Sequence, residues 1–165
     1  MYGGHWMDLL DRMLGHDHWT TARALELSCN LTDAQLDQPF DVGHGTLRET
    51  FDHMIYVVAL WTGLMAEQPV NMPRDDRSIA ALIERHKSSY PAFASLARRL
   101  RDEQRLDDTF VDHHAIRQEC GATIIQVILH NAQHRGEALH MLQRLGVPDL
   151  PDGDPQEWEQ MTQRS

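Results

Sequence analysis

Four long segments of this chain repeat apolar residues at the spacing of an amphipathic helix. They run over about residues 6–28, 46–65, 79–100 and 123–145. Each pattern predicts a helix with one face buried against its neighbours and the other in water. Because strand-like alternation is scarce and the four helices are similar in length, we expect an all-α fold built as a four-helix bundle.

Local signals predict where these helices begin and end. Thr46, with Glu49 three residues later, predicts a capping box at the start of the second helix. Pro91 is expected to kink the third helix or to delay its start. Gly146 follows the fourth apolar stripe and predicts its end. Beyond it, an Asp-Pro pair predicts a short terminal helix over about residues 154–162.

Composition narrows the class of protein. A chain of 165 residues is expected to form one domain around a single core. It has 25 acidic and 15 basic residues, and this net charge of −10 argues against a surface for nucleic acid or anionic membranes. Two cysteines are too few for a disulfide framework. No signal peptide or membrane-spanning stretch is recognised, so we expect a cytoplasmic protein.

Two histidines stand four residues apart in the fourth segment, within HNAQHRGE. Side chains at this spacing point the same way on a helix, so His130 and His134 present neighbouring imidazoles. They share a stripe with Val127 and Met141, which predicts that they face inward. His53 lies at the edge of the apolar face of the second segment. A buried imidazole needs hydrogen bonds or a metal ion, and the pair alone is compatible with either.

Three convergent nitrogens from two helices favour the metal interpretation. Three protein ligands leave at least one position of the ion open, as in catalytic rather than structural sites. Imidazole suits zinc, nickel, copper and iron. A di-iron carboxylate site is disfavoured because it requires Glu-x-x-His pairs, whereas Glu49 precedes His53 by four residues.

Three motifs resemble the DinB/YfiT-like metalloprotein family: HDHWTT, GTLRETFDHM and ILHNAQHRGEALHMLQRLGVP. The resemblance covers almost the whole chain. It implies an up-down-down-up bundle with a long crossover, in which His53, His130 and His134 are the metal ligands. The family usually has Gln after the HRG of the third motif. Here Glu137 adds a carboxylate one turn beyond His134.

The resemblance also suggests a chemistry. Enzymes of this family resemble transferases or isomerases that use a low-molecular-weight thiol such as mycothiol, bacillithiol or glutathione. Our leading hypothesis is a metal-dependent transferase with one zinc or nickel ion per chain and with Asp17 orienting water or a ligand. One alternative is metal-dependent hydrolysis, with Glu49, Asp17 or Glu137 as the base. Another is a non-catalytic, stress-linked metal-binding protein.

Several other polar residues have more than one interpretation. Asp17 either lines the pocket or binds a polar group in the core. His86 is expected at the core edge or the pocket wall rather than as a fourth ligand. Arg135 is expected to be a surface or interhelical partner, and His44 carries no clear signal.

Besides a small-molecule substrate or thiol, the expected partner is a second copy of the chain. Bundles of the family often pair through helix faces. Trp19 and Tyr56 lie opposite the core faces of their segments, and such exposed apolar residues predict a homodimer.

Overall fold

The computed structural model describes residues 7–163 of the chain. Within that range the chain forms six helices and one two-stranded antiparallel sheet. The elements are α1 (Leu9–Leu27), α2 (Asp33–Leu36), α3 (Leu47–Met65), α4 (Ile79–Asp102), β1 (Thr109–Val111), β2 (Arg117–Glu119), α5 (Cys120–Arg144) and α6 (Pro155–Gln163).

The four long helices pack as a bundle in which α4 and α5 each lie between α1 and α3. Helix α1 runs antiparallel to α4. Asp11 near the start of α1 binds Arg98 near the end of α4, and Asp17, later in α1, binds Tyr90, earlier in α4. Helix α4 runs parallel to α3, with Asp52 and Arg85 in contact near the starts of the two helices. Helix α5 packs against α1, where Asn131 binds Asp17, and runs parallel to it. The predicted all-α bundle with up-down-down-up order and a long crossover is therefore confirmed.

The core consists of two apolar clusters with a buried polar layer between them. One cluster contains Leu14, Val58 and Phe93, and the other contains Leu25, Met54, Leu82 and Met141. The polar layer crosses α1, α4 and α5 at mid-height, and its members are Asp17, Thr20, Thr21, His86, Ser89, Asn131 and Arg135. Buried polar groups are costly unless they bind one another. This layer therefore demands a specific alignment of the three helices.

Ion pairs with buried partners fix the long connections to α3. The Arg48 guanidinium binds Asp33 and Asp37 at 2.6 Å each, which holds α2 against the start of α3. Asp52 is fully buried and accepts hydrogen bonds from Arg85 of α4 at 2.7 Å and from Arg74 in the α3–α4 connection. The helix that carries His53 is therefore held from both sides.

Two helix-start predictions need correction. Helix α1 is capped by the Asp8 side chain, whereas the sequence pattern predicted a start near Trp6, a residue outside the described range. The capping box at Thr46 forms only by half. The Thr46 hydroxyl accepts a hydrogen bond from the Glu49 backbone amide at 3.1 Å. The Glu49 carboxylate pairs with Arg77 instead of accepting a hydrogen bond from the Thr46 backbone amide.

Other differences arise where packing or short elements hide the pattern. Pro91 does not delay α4, because its neighbours Tyr90 and Phe93 are buried and hold the helix together. Helix α2, with a complete capping box at its start, was not predicted. The polar stretch over residues 102–121 contains the β1–β2 hairpin, whose strands have three residues each and are too short to show an alternating pattern.

The apolar residues on the outer surface bear on membrane insertion and on dimer formation. No described helix is both long and apolar enough to span a bilayer. Trp19 and Tyr56 are only half-buried, whereas α1 and α5 expose larger apolar area at Leu9 (73%), Ile125 (53%) and Leu129 (58%). The homodimer stays a prediction, and light scattering at micromolar concentration tests it: a monomeric mass would contradict it.

Candidate metal centre

Four imidazoles lie close together where α3 and α5 pack against each other. His53 comes from the second turn of α3, and His130 and His134 come from successive turns of α5. His44 comes from the loop before α3. The ring centroids of His130 and His134 are 4.4 Å apart, and each lies 4.9–5.0 Å from that of His53. The three residues predicted as ligands are thus brought together.

The nitrogen positions fit a shared ion. The Nε2 atoms of His53 and His130 are 3.0 Å apart. Two nitrogens bound to one ion at about 2.0–2.1 Å lie roughly 3.0–3.4 Å apart, depending on the coordination angle. The ligand atoms of His44, His53 and His134 all lie within 4.8 Å of one another. His130 is not a member of that group, so an ion held by His53, His130 and His134 together would require a shift of the His130 or His134 side chain.

Sequence reasoning missed His44. Its ring centroid is 3.7 Å from that of His53 and 4.9 Å from that of His134. The flanking glycines Gly43 and Gly45 have φ angles of +61° and +85°, which side-chain-bearing residues rarely adopt. The signal available in the sequence was the Gly-His-Gly stretch before the helix. It indicates an unusual turn but does not show that the His44 side chain points towards His53.

Glu137 sets the orientation of one candidate ligand. Its carboxylate lies 2.5 Å from Nδ1 of His134. This contact leaves Nε2 of His134 free to bind a metal. A carboxylate behind a ligating histidine is common in metal sites, because it fixes the ring and raises the basicity of the other nitrogen. The departure from the family's usual Gln therefore places a negative charge directly behind a candidate ligand.

The electrostatics of the site favour neutral imidazoles. Burial and the neighbouring histidines lower the pKa values of both His53 and His130 to about 4. Burial, assisted by His134, also lowers the pKa of His44. Neutral imidazole is the form that binds metals, so little proton release opposes metal binding at pH 7.

The structure places Asp17 in the polar layer, away from the histidine rings. It is fully buried and accepts hydrogen bonds from Tyr90 Oη at 2.7 Å, from Asn131 Nδ2 at 3.1 Å and from the guanidinium of Arg135. Arg135 is therefore a buried interhelical partner. Since Asn131 and Arg135 directly follow His130 and His134, Asp17 fixes the part of α5 that carries these two candidate ligands.

His86 is buried on the far side of the same layer, not among the candidate ligands. It stacks on His18 with a centroid distance of 4.9 Å, and its Nε2 has no hydrogen-bond partner among the described residues. Burial first, and then the charge of His18, lower its pKa to about 4.

This burial predicts acid sensitivity of the metal-free protein. The unfolded chain protonates His86 near pH 6.5, whereas the folded protein keeps it neutral down to about pH 4. Stability is therefore lost as the pH falls through this interval, by about 2 kcal/mol between pH 7 and pH 5 from His86 alone. Urea unfolding with a chelator present measures it. His86→Gln should reduce the pH dependence; an unchanged dependence would contradict the assignment.

A cavity of about 570 Å³ lies between α3, α5 and the hairpin. Gln126 in its wall precedes His130 by one turn of α5, and Trp61 follows His53 by about two turns of α3. The hairpin closes the other side. The remaining polar wall residues include Asp112, His113, His114, Gln118 and Thr123. A cavity of this size accommodates a typical small-molecule ligand.

Replacing Glu137 by Gln should weaken metal binding about 10-fold, because an amide holds the His134 ring without increasing its basicity. Competition with a chromophoric chelator measures the affinity. Glu84→Gln removes the same charge from an exposed position on α4 and should leave the affinity unchanged. Equal affinities of the two variants would show that Glu137 does not act on the site.

Comparisons with known proteins identify the family. A model of the DinB superfamily matches residues 16–138, a range that includes all four site histidines. The crystal structure of a DinB-like protein from Bacillus cereus shares the fold with a TM-score of 0.61; the two chains are 22% identical, over 82% of this chain and 89% of that one. No curated protein matches the chain. Since the family model spans most of the bundle, this chain belongs to the DinB superfamily.

Proposed function

We propose that this protein is a metal-dependent transferase that uses a low-molecular-weight thiol, with His53, His130 and His134 as ligands of one zinc or nickel ion. The observation that carries the proposal is the convergence of the imidazoles, with the two Nε2 atoms of His53 and His130 3.0 Å apart. A divalent ion with an open position can hold a thiol as its thiolate at neutral pH, or lower the pKa of bound water.

The residues around the centre support a binding role for the cavity. None of the candidate ligands lines the cavity beside Trp61 and Gln126, but Gln126 stands one turn of α5 before His130, and the cavity is large enough for the rest of a thiol or for its electrophilic partner. Asp17 and its partners keep α5 in register with α1, so the two ligands of α5 are presented on a rigid element. Rigid support of this kind keeps ligand geometry fixed during turnover.

The carboxylates of the region argue against the hydrolytic alternative. Hydrolysis with Glu49, Asp17 or Glu137 as general base needs a carboxylate that is free to take a proton from water. Glu49 pairs with Arg77, Glu137 contacts His134, and Asp17 is fully buried with three donors. Each candidate base therefore already has a partner, and a thiol needs no such base when a metal holds it as the thiolate.

The function is tested by a thiol screen on metal-loaded protein. Glutathione, bacillithiol and mycothiol are each mixed with 1-chloro-2,4-dinitrobenzene, whose aryl carbon forms a bond to sulfur while chloride and the thiol proton leave. We expect one thiol to be conjugated only when the metal is present, and His134→Ala to abolish the reaction. His140→Ala, which alters an exposed histidine on α5, should retain it.

Two results would contradict the proposal. Cleavage of p-nitrophenyl acetate by the loaded protein at a rate independent of thiol would indicate a hydrolase. Metal-induced thermal stabilisation without turnover of any thiol would indicate a metal-binding protein with no catalytic role.

A further inference from the structure

We propose that His44 is a fourth, displaceable ligand of this centre, which completes the coordination in the resting protein and gives up its position to the incoming thiol. The inference rests on the proposed metal site and adds that His44 occupies the coordination position that the thiol needs. It assigns a role to a residue whose sequence context carried no functional signal.

The first support is position. The ring of His44 is nearer to that of His53, at 3.7 Å between centroids, than either α5 histidine is. Its ligand atom lies within 4.8 Å of those of His53 and His134. An imidazole at this distance from two candidate ligands reaches the same ion after a small rotation of its side chain.

The second support is the backbone that holds the loop. The amide of His44 donates to the Thr50 hydroxyl at 3.2 Å. A Cβ added at Gly43 would lie 3.0 Å from Cε of Met141 and 3.1 Å from the Glu137 carboxylate. The loop backbone is therefore pressed against α3 and α5 beside the residue that orients His134. It holds His44 over the site.

The third support is the unequal anchoring of the histidines. His134 is held by Glu137 and only 12% of its side chain is exposed. His44 is exposed, and its ring forms no hydrogen bond with the described residues. Nδ1 of His130 also has no hydrogen-bond partner among the described residues, but that ring is partly buried on a helix. The exposed imidazole on the loop is therefore the ligand that leaves most easily.

The arrangement also resolves a chemical conflict. Four protein ligands close a tetrahedral site, which is the pattern of structural rather than catalytic centres. A tetrahedral centre that binds four histidines can take up a thiol without raising its coordination number only by releasing one of them. His44 is the member whose release leaves the ligands on both helices in place.

The test uses cobalt(II) as the probe, in wild type, His44→Ala, His44→Gln, His53→Ala and His140→Ala. We expect both His44 variants to keep wild-type helicity and to bind cobalt about 10-fold more weakly. Their visible absorption should be weaker, because two or more waters take the place of the imidazole and raise the coordination number of cobalt above four. Mercaptoethanol should give its sulfur-to-cobalt charge-transfer band at about 10-fold lower concentration than in wild type, because no ligand is displaced.

The controls separate this inference from the function that it rests on. His140→Ala should match wild type in every measurement. If the His44 variants match wild type in cobalt affinity and spectrum while His53→Ala binds much more weakly, the fourth-ligand proposal is wrong and the metal site stands. If His53→Ala also binds like wild type, or if wild type binds no cobalt, both proposals are wrong.

Discussion

Replacing Asp17 by Ala should destabilise the fold by about 3–5 kcal/mol, since it leaves the buried cation of Arg135 without its partner. Arg135 is 4% exposed and cannot turn to solvent without opening the interface between α1 and α5. The same change also removes an acceptor from Tyr90 and Asn131. Buried donors without acceptors add to the loss.

Urea unfolding at pH 7 measures this effect, with Asp41→Ala as the matched control. Asp41 also pairs with an arginine, but its side chain is 88% exposed, so its removal should cost less than about 1 kcal/mol. Asp17→Asn should fall between the two variants, because an amide accepts hydrogen bonds but carries no charge. A loss below 1 kcal/mol for Asp17→Ala would show that the polar layer does not hold the helices in register.

Replacing His53 by Ala should abolish the activity but, unlike the Asp17 replacement, should leave the fold intact. The apolar clusters on either side of the polar layer do not depend on an ion, unlike the core of a zinc finger. Loss of one of the three ligands on the helices should lower metal-dependent turnover by on the order of 100-fold or more. Helicity should stay at the wild-type value, and added metal should no longer raise the melting temperature.

The metal affinity of His53→Ala also shows whether His53 or His44 binds the ion together with His130 and His134. If His53→Ala binds metal as tightly as wild type, His53 is only a histidine at the core edge. His44 would then take its place in the assignment, because the rings of His44 and His134 are already 4.9 Å apart. His86 is not available for this role, since it lies on the other side of the polar layer against His18.

The helices and the α3–α5 histidines were predictable because helical periodicity is a local property of the sequence. The i, i+4 spacing of His130 and His134 sets their common direction, and the apolar stripe beside His53 sets which way that ring faces. The resemblance to a known family then supplied the topology, which periodicity alone does not determine. The comparisons confirm that resemblance.

The features that were missed depend on contacts between distant parts of the chain. The direction of His44 follows from two glycines with positive φ and from the packing of Gly43 on α5. Asp17 could have lined the pocket, and only the positions of Tyr90 and Arg135 show that it lies in a buried network. The hairpin is an exception, because its strands are neighbours in the sequence and were missed only because they are too short to produce an alternating pattern.

The central claim is that His53, His130 and His134 bind one divalent ion per chain. Isothermal titration of chelator-treated protein with zinc or nickel tests it most directly, with a His53→Ala/His134→Ala double variant measured in parallel. We predict a stoichiometry of one ion per chain for wild type and no saturable binding for the double variant. Absence of binding by wild type, or equal binding by the double variant, would contradict the claim.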